Sequence, residues 1–350
     1  MSDARRLVAM THSTYDPASR FRVLQYLPHL EAAGWRVEHR PNRPPRPPRR
    51  APGPLHRWLG PGQVRRRERH RLADIEAAAG ADVVWANRDL LAGQPRYEAL
   101  LLARNPRVVF DVDDAVWLTD KAGHFPAAVA GAAWVLAGNE TLAAEARRHS
   151  ERVSVLPTVI ETNRYRVAAP RDLSRPLRLG WCGSRLSIEQ TLFPLLPLLA
   201  RLQPKLGFEL VVMSWPRPRL PASGLRWRFV AWSPERERRL GEVFDVGLMP
   251  LQDTPFQRAK CGCKLLQYLA CGLPAVAAPL GVNESIAAGS GAVLTPRDES
   301  GWEEALGRLY EEREALPAMG AAGRVWCERE MSLQRWLPEL RRVLDRVAGG

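Results

Sequence analysis

The chain has 350 residues, 45% of them hydrophobic and 25% charged, with a formal net charge of +13; that length and composition suit about two domains with ordinary buried cores. No run approaches the roughly 18–20 apolar residues that a membrane span needs, and the start, MSDARRLVAM, lacks the apolar stretch of a secretory signal. Five cysteines without framework spacing suit a reducing compartment, so the cytoplasm is the expected location.

Along the chain, RRLVAMT (5–11) reads as an apolar strand, followed by a loop and a helix near 18–33. WRVEHR (35–40) reads as a second strand. Residues 36–71 then hold twelve arginines against Glu38 and Glu68. Inside that segment, PNRPPRPPRRAPGP (41–54) is expected to be extended and poorly packed. Two readings of the segment stay open. One is a solvated loop; the other is a basic surface for anionic lipid at the inner membrane face or for a charged acceptor. Nucleic acid is not expected, because Trp58 is the only aromatic nearby and no binding motif follows.

A helix is predicted over 63–79, then the buried strand ADVVWAN (81–87), a helix near 96–103, and the strands RVVFDV (107–112) and AAWVLAG (132–138). A helix at 139–149 and the strand RVSVLP (152–157) complete the first run. The polar, proline-punctuated stretch 157–176 reads as the linker. A second run opens with LRLGWCG (177–183) and a helix near 187–202. FELVVM (208–213), RWRFV (226–230), a short helix at 234–241 and FDVGLMP (244–250) follow. A helix from about Lys260, the strand PAVAA (274–278) and helices at 299–314, 316–330 and 333–347 end the chain. Two runs of alternating strands and helices point to an α/β protein with two doubly wound parallel sheets. The expected division is 1–165, 166–330 and a last helix in 331–350.

The densest chemistry lies in 245–286, DVGLMPLQDTPFQRAKCGCKLLQYLACGLPAVAAPLGVNESI. Lys260 and Lys264 are expected one turn apart on the opening face of a helix, whose free N–H groups and dipole attract an anion. Two lysine amines would add charge-assisted hydrogen bonds of about 1.5–3 kcal/mol each, which suits a diphosphate leaving group. The next strand ends in the turn Pro279-Leu280-Gly281-Val282-Asn283, and ligands of open α/β sheets bind at such carboxyl ends. The alternative is surface lysines on an amphipathic helix. Cys261 and Cys263 form a C-x-C pair, but all seven histidines lie at or before His149, so no metal is expected.

In the first half, Ser13, Ser19, Arg20 and Arg22 follow the first strand, and Arg88 follows ADVVWAN. Arg20 and Arg22 would hold donor phosphate or an acidic acceptor, unless Arg22 only snorkels from its helix. Asn139 opens a helix and is either a cap or a ligand contact. Asp111, Asp113 and Asp114 crowd one strand end, where like charges repel. A carboxylate there, Asp113 or Asp114, would deprotonate an acceptor hydroxyl; capping and salt-bridging of the next turn is the competing reading.

The run Lys-Cys-Gly-x-Lys-Leu-Leu-Gln-Tyr-x-Ala-x-Gly-Leu-Pro, with Pro-x-Gly-Val-Asn after it, resembles the donor-binding segment of family 4 GT-B glycosyltransferases. The likeness extends to RFRVLQYLPHLEAAGW (20–35), DVDDAVW (111–117), AGNETLAAEA (137–146) and LGWCGS (179–184). This resemblance implies two Rossmann-like domains facing across a cleft and transfer of a hexose-type sugar from a nucleotide diphosphate sugar to an acceptor hydroxyl. It further implies retention of configuration, no essential metal or cofactor, a role in polysaccharide or glycoconjugate synthesis, and a final helix crossing back to the first domain. By position, Gly183, Ser184, Lys260 and Lys264 would contact donor phosphate, Lys264 stabilising the departing charge, and Asn283 would lie in the donor segment. Gln267 stands where many members bind ribose hydroxyls with a glutamate, and Ala259 stands where they carry a second one. Ser13, Arg20, Arg22, Arg88 and Asn139 would face the cleft from the first domain.

Three rival readings come from other classes. VVFDVDDAVW is similar to the nucleophile motif of haloacid-dehalogenase phosphatases, with Asp111 as nucleophile and Asp113 as acid/base, although Ala115 replaces the expected threonine. The same Asp-x-Asp is used by GT-A glycosyltransferases for a metal-bound donor. A non-catalytic, partner-binding transferase relative is the third.

Overall fold

The computed structural model describes residues 4–43, 54–91, 93–119, 122–169, 172, 175–221 and 224–350. The core of the proline–arginine stretch expected at 41–54 therefore lies largely outside the described residues. The chain forms two compact units, one of 1–158 with 336–350 and one of 159–335.

The first unit carries β1 (Arg6–Thr11), α1 (Leu27–Ala32), β2 (Arg36–Pro41), α2 (Pro54–Ala78), β3 (Val83–Asn87), α3 (Arg96–Arg104), β4 (Val108–Val112), α4 (Phe125–Gly131), β5 (Trp134–Ala137), α5 (Glu140–Arg147) and β6 (Val153–Val155). Its six strands are parallel in the order β2-β1-β3-β4-β5-β6. The central strands β3 and β4 are buried at every position, as a parallel sheet covered on both faces requires. A π-helical turn at Ser19–Leu24 follows β1 where a longer helix was expected. Trp85 and Tyr26 anchor the core, with ring centroids 6.0 Å apart.

The second unit holds β7 (Arg178–Cys182), α6 (Arg185–Gln190), α7 (Leu192–Leu206), β8 (Glu209–Ser214), β9 (Trp227–Ala231), α8 (Pro234–Glu237) and β10 (Val246–Met249). It continues with α9 (Pro255–Arg258), α10 (Cys263–Ala270), β11 (Ala275–Ala277), α11 (Val282–Ser290), β12 (Val293–Leu294), α12 (Glu299–Glu311) and α13 (Leu316–Glu330). The parallel strand order is β12-β11-β10-β7-β8-β9. Leucines of α7 at 195, 196, 198, 199 and 202, together with Leu306 and Leu309 of α12, pack on the sheet around Trp181. Their spacing of three and four residues is what puts them on one helix face.

Both sheets are doubly wound. Strand order reverses between β1 and β3 in one and between β7 and β10 in the other. In such sheets the backbone parts at the reversal and leaves a crevice outside the carboxyl ends. The topology thereby selects two places for chemistry before any side chain is considered.

The stretch expected as linker departs from that expectation at its start. Val159 and Ile160 are wholly buried, Ile160 N–H donates to the Met331 carbonyl at 2.9 Å, and Leu333 N–H donates to the Ile160 carbonyl at 3.0 Å. Further along, Arg166 N–H donates to the Arg238 carbonyl and Ala168 N–H to the Cys271 carbonyl, both at 2.8 Å, so this part of the stretch is tied into the second unit as well. The last helix, α14 (Leu333–Gly349), places Leu340, Val343 and Leu344 in buried positions, and Trp336–Gly350 belongs to the first unit. Asp345 accepts from Arg5 at 2.9 Å, and the Arg346 guanidinium lies 5.1 Å from the Trp134 ring centroid.

Candidate functional site

In the second unit, β7 delivers Gly183 and Ser184 to the reversal. Gly183 N–H donates to the Met213 carbonyl at 3.1 Å, which holds the turn against β8. Ser184, in extended conformation, caps α6 by accepting from Ser187 N–H at 3.2 Å. From the other side of the reversal comes α10. Lys264, in its first turn, donates to Ser187 Oγ at 3.3 Å, and its amine lies 5.6 Å from the Trp181 ring centroid. A Cβ on Gly183 would sit 3.1 Å from Lys264 Cε and 2.6 Å from the Trp181 ring, so only glycine lets the lysine stem lie this close. A primary amine, a serine-capped turn and a helix N-terminus therefore converge at one strand reversal. That combination attracts an anion.

The structure corrects the expectation that Lys260 and Lys264 share a helix face. The helix opens at Cys263, because its N-cap Gly262 is left-handed (φ +66) and breaks the chain's path between the two lysines. Lys260 lies in the preceding loop, with its amine 4.4 Å from the Phe256 ring centroid. Asn283 is corrected as well. It is fully buried, and its Nδ2 donates to the Ala278 carbonyl at 3.0 Å, closing the turn from β11 into α11 rather than presenting itself to a ligand. Gln267, one turn beyond Lys264, is 5% exposed, and Ala259 is 1% exposed. Cys261 is buried and Cys263 half-buried, and neither is in a disulfide.

In the first unit, the loop after β1 folds around Asp16, a residue that the sequence pattern did not single out. Ser13 Oγ donates to Asp16 at 2.7 Å and accepts from the Tyr15 and Asp16 N–H groups. Ser19 donates to the same carboxylate through its hydroxyl at 2.6 Å and its N–H at 3.0 Å. Burial alone would push the Asp16 carboxyl up, but these donors outweigh it and hold it below the ordinary value. The signal was present as Ser-x-x-Asp-x-x-Ser, a spacing at which short polar side chains close a turn. Thus Ser13 and Ser19 shape the loop. His12 is joined to Asp89 at 3.0 Å, a pair also missed because its members stand 77 residues apart.

Arg22 is 1% exposed, and its guanidinium grips the fully buried Asp111 with two bonds of 3.0 and 2.9 Å. It also donates to the Leu156 carbonyl at 2.5 Å, while Asn87 Nδ2 gives Asp111 a further donor at 2.9 Å. The expected ligand role of Arg22 therefore gives way to a core ion pair. The phosphatase reading falls with it, since Asp111 is sealed from any substrate. Arg20 stacks instead on Phe21, 4.9 Å from the ring centroid. Asn139 is the N-cap of α5, accepting from Leu142 N–H at 2.9 Å.

Arg88 does reach the reversal between β1 and β3. It adopts a left-handed backbone (φ +58) unusual for a residue with a side chain, and its N–H donates to the Asp111 carbonyl at 2.8 Å. Its guanidinium pairs with Asp113 and, at 2.6 Å, with Asp114. Burial pushes the Asp113 carboxyl up; Arg88 opposes this and Asp114 adds to it, so it stays above the usual carboxylate range. The same carboxylates, with Asp16 at longer range, hold the guanidinium firmly protonated against burial. Asp113, Asp114 and Arg88 thus form one half-buried charged group.

Two doubly wound parallel sheets in this order are the GT-B fold, and solved structures of that fold match over nearly the whole chain. The protein is similar to sucrose-phosphate synthase from Thermosynechococcus elongatus, with a TM-score of 0.71 and 16% identity over 99% of this chain and 100% of that one. It is similar to Anabaena HepE in complex with UDP, with a TM-score of 0.65 and 16% identity over 98% and 100%. An alpha-glucosyltransferase in complex with UDP-glucose and DNA containing an abasic site matches with a TM-score of 0.66 and 11% identity over 97% and 99%. Residues 180–312 match the family model described as glycosyl transferases group 1. No curated protein matches the sequence.

Proposed function

We propose that the protein is a glycosyltransferase of the family 4 type that moves a hexose from a nucleotide diphosphate sugar onto an acceptor hydroxyl. The observation that carries this reading is Lys264 lying against the Gly183–Ser187 turn at the β7–β10 reversal. The donor diphosphate would sit against the lysine amine and Ser187, beside the N-terminus of α10. As the bond to the sugar breaks, negative charge grows on the departing diphosphate. Preorganised donors aimed at that charge lower the barrier, because they are oriented before the reaction begins. Lys260 would add a second amine from the loop, and Gln267 a hydrogen bond to the nucleoside.

On the first unit, Asp113 is the better candidate to receive or orient the acceptor proton. Burial raises its carboxyl above the usual range, which favours taking up a proton, provided Arg88 releases it. Turnover with retention and without a metal accords with the sequence resemblance. The experiment is a panel of UDP, ADP, GDP and TDP sugars scored for thermal stabilisation, followed by turnover with and without chelator and an NMR assignment of the product anomer. Stabilisation by at least one donor is expected, with activity surviving chelation. A folded protein stabilised by none of them would defeat the reading and favour a non-catalytic binding subunit.

The basic helix α2 supports contact with an anionic membrane surface. Val64 and Leu72, 44% and 42% exposed, share its outward residues with the exposed Arg65, Arg66 and Arg69. Apolar side chains among cations suit a lipid–water boundary, where each basic residue near the surface contributes about 1 kcal/mol at moderate ionic strength. Among the described residues, no helix is long and apolar enough to cross a membrane. Co-sedimentation with vesicles rich in phosphatidylserine should exceed that with neutral vesicles and fall as salt rises. Equal binding to both would remove the lipid from the proposal.

A further inference from the structure

Trp215 stands directly after β8 and is 67% exposed, a large indole open to solvent. A ring of that size is rarely left in water, and at the carboxyl end of a parallel strand it stands where ligands of such sheets bind. Its register is definite. Cys182 pairs with Met213, and Gly183 N–H donates to the Met213 carbonyl at 3.1 Å, so Trp215 follows β8 alongside the Gly183–Ser184 turn. On its other side, Ser214 pairs with Ala231, and Trp232 N–H donates to the Ser214 carbonyl at 3.0 Å. Trp232 is anchored there by its own indole N–H, which donates to Glu237 at 2.6 Å.

Lys264 approaches the Gly183 turn from α10, on the β10 side of β7, whereas Trp215 lies on the β8 side. Neighbouring strands are about 4.8 Å apart, so one strand's displacement from the turn is within the reach of a ribose. An anion seated on the turn would leave one end of its molecule over β8. Every nucleobase has a flat π-face, and stacking on an aromatic ring binds it without demanding a particular hydrogen-bond pattern.

We infer that Trp215 is the stacking platform for the nucleobase of the donor, an inference that rests on the protein's binding a nucleotide diphosphate sugar at the Gly183 turn. Its contribution is binding energy common to the bound donor and the transition state, so it acts on affinity rather than on the chemical step.

The test is calorimetric titration of the full-length protein, Trp215→Ala and Trp215→Phe with UDP, ADP, GDP and inorganic pyrophosphate. Trp215→Ala should weaken the best-bound nucleoside diphosphate at least about tenfold, leave pyrophosphate affinity unchanged, and be largely rescued in Trp215→Phe. With the corresponding nucleotide sugar as substrate, KM should rise while kcat holds. Wild-type affinity in Trp215→Ala would overturn the inference while leaving the donor reading intact. So would an equal loss of pyrophosphate, or a loss confined to the nucleotide sugar, which would assign the ring to the sugar instead. A wild-type protein that binds no nucleoside diphosphate overturns both.

Discussion

Arg22→Met is expected to cost about 3–5 kcal/mol of stability, the range for removing one partner of a buried ion pair. The methionine fills most of the arginine's apolar volume, so the loss is electrostatic. Asp111, fully buried, would keep Asn87 as donor and lose the bidentate guanidinium. The Leu156 carbonyl would lose its donor too, and with it the tie from the turn after β1 to the end of β6. Arg22→Lys should recover little, because an ammonium has no planar fork to match a carboxylate. Urea unfolding followed by circular dichroism measures this, with attention to a transition of the first unit, since two-unit chains need not unfold in one step. A loss under about 1 kcal/mol, the ordinary value of an exposed pair, would show that the pair contributes little.

Lys264→Ala should lower turnover at least about tenfold, equivalent to about 1.4 kcal/mol of barrier. The role proposed for the amine is to hold an anion. Its hydrogen bond to Ser187 is a long one, 3.3 Å, and the amine also lies over the face of Trp181. Removing it should therefore leave the melting temperature near that of the unmodified protein while the diphosphate loses its partner. Lys264→Arg should restore part of the rate, since it returns the charge at a different reach. Unchanged kinetics in a folded Lys264→Ala protein would dismiss the phosphate role, even if the fold and the Trp215 platform stand. Because Gly183 leaves no room for a Cβ beside the lysine, the amine's position is set by backbone as well as by its own rotamer.

These two residues show opposite outcomes of the same kind of sequence pattern. Both are cations near strand ends in a chain with formal charge +13. Nothing local distinguishes them. Arg22 turns inward because β4 brings Asp111 beside it from 89 positions away. Lys264 lies at the reversal, where its amine donates to the hydroxyl of Ser187 in the capped turn. Asp113 and Asp114 illustrate a third case. The sequence leaves open a carboxylate base or salt-bridging of the turn, and the structure pairs both carboxylates with Arg88.

The amino-acid sequence by itself determined the alternation of strands and helices and the division into two sheets. Short apolar runs such as VVWAN and RLGWC have both faces buried, and a period that local is written in neighbouring residues. It also marked the lysine-bearing segment after β10 as chemically special. Tertiary structure alone decided strand order, and hence where each sheet reverses, because order depends on pairing between residues far apart in the chain. It also decided which charges are sealed into ion pairs, and that Gly262 ends the path shared by Lys260 and Lys264. A left-handed backbone and a buried partner are properties of the folded chain, and local pattern carries no record of either.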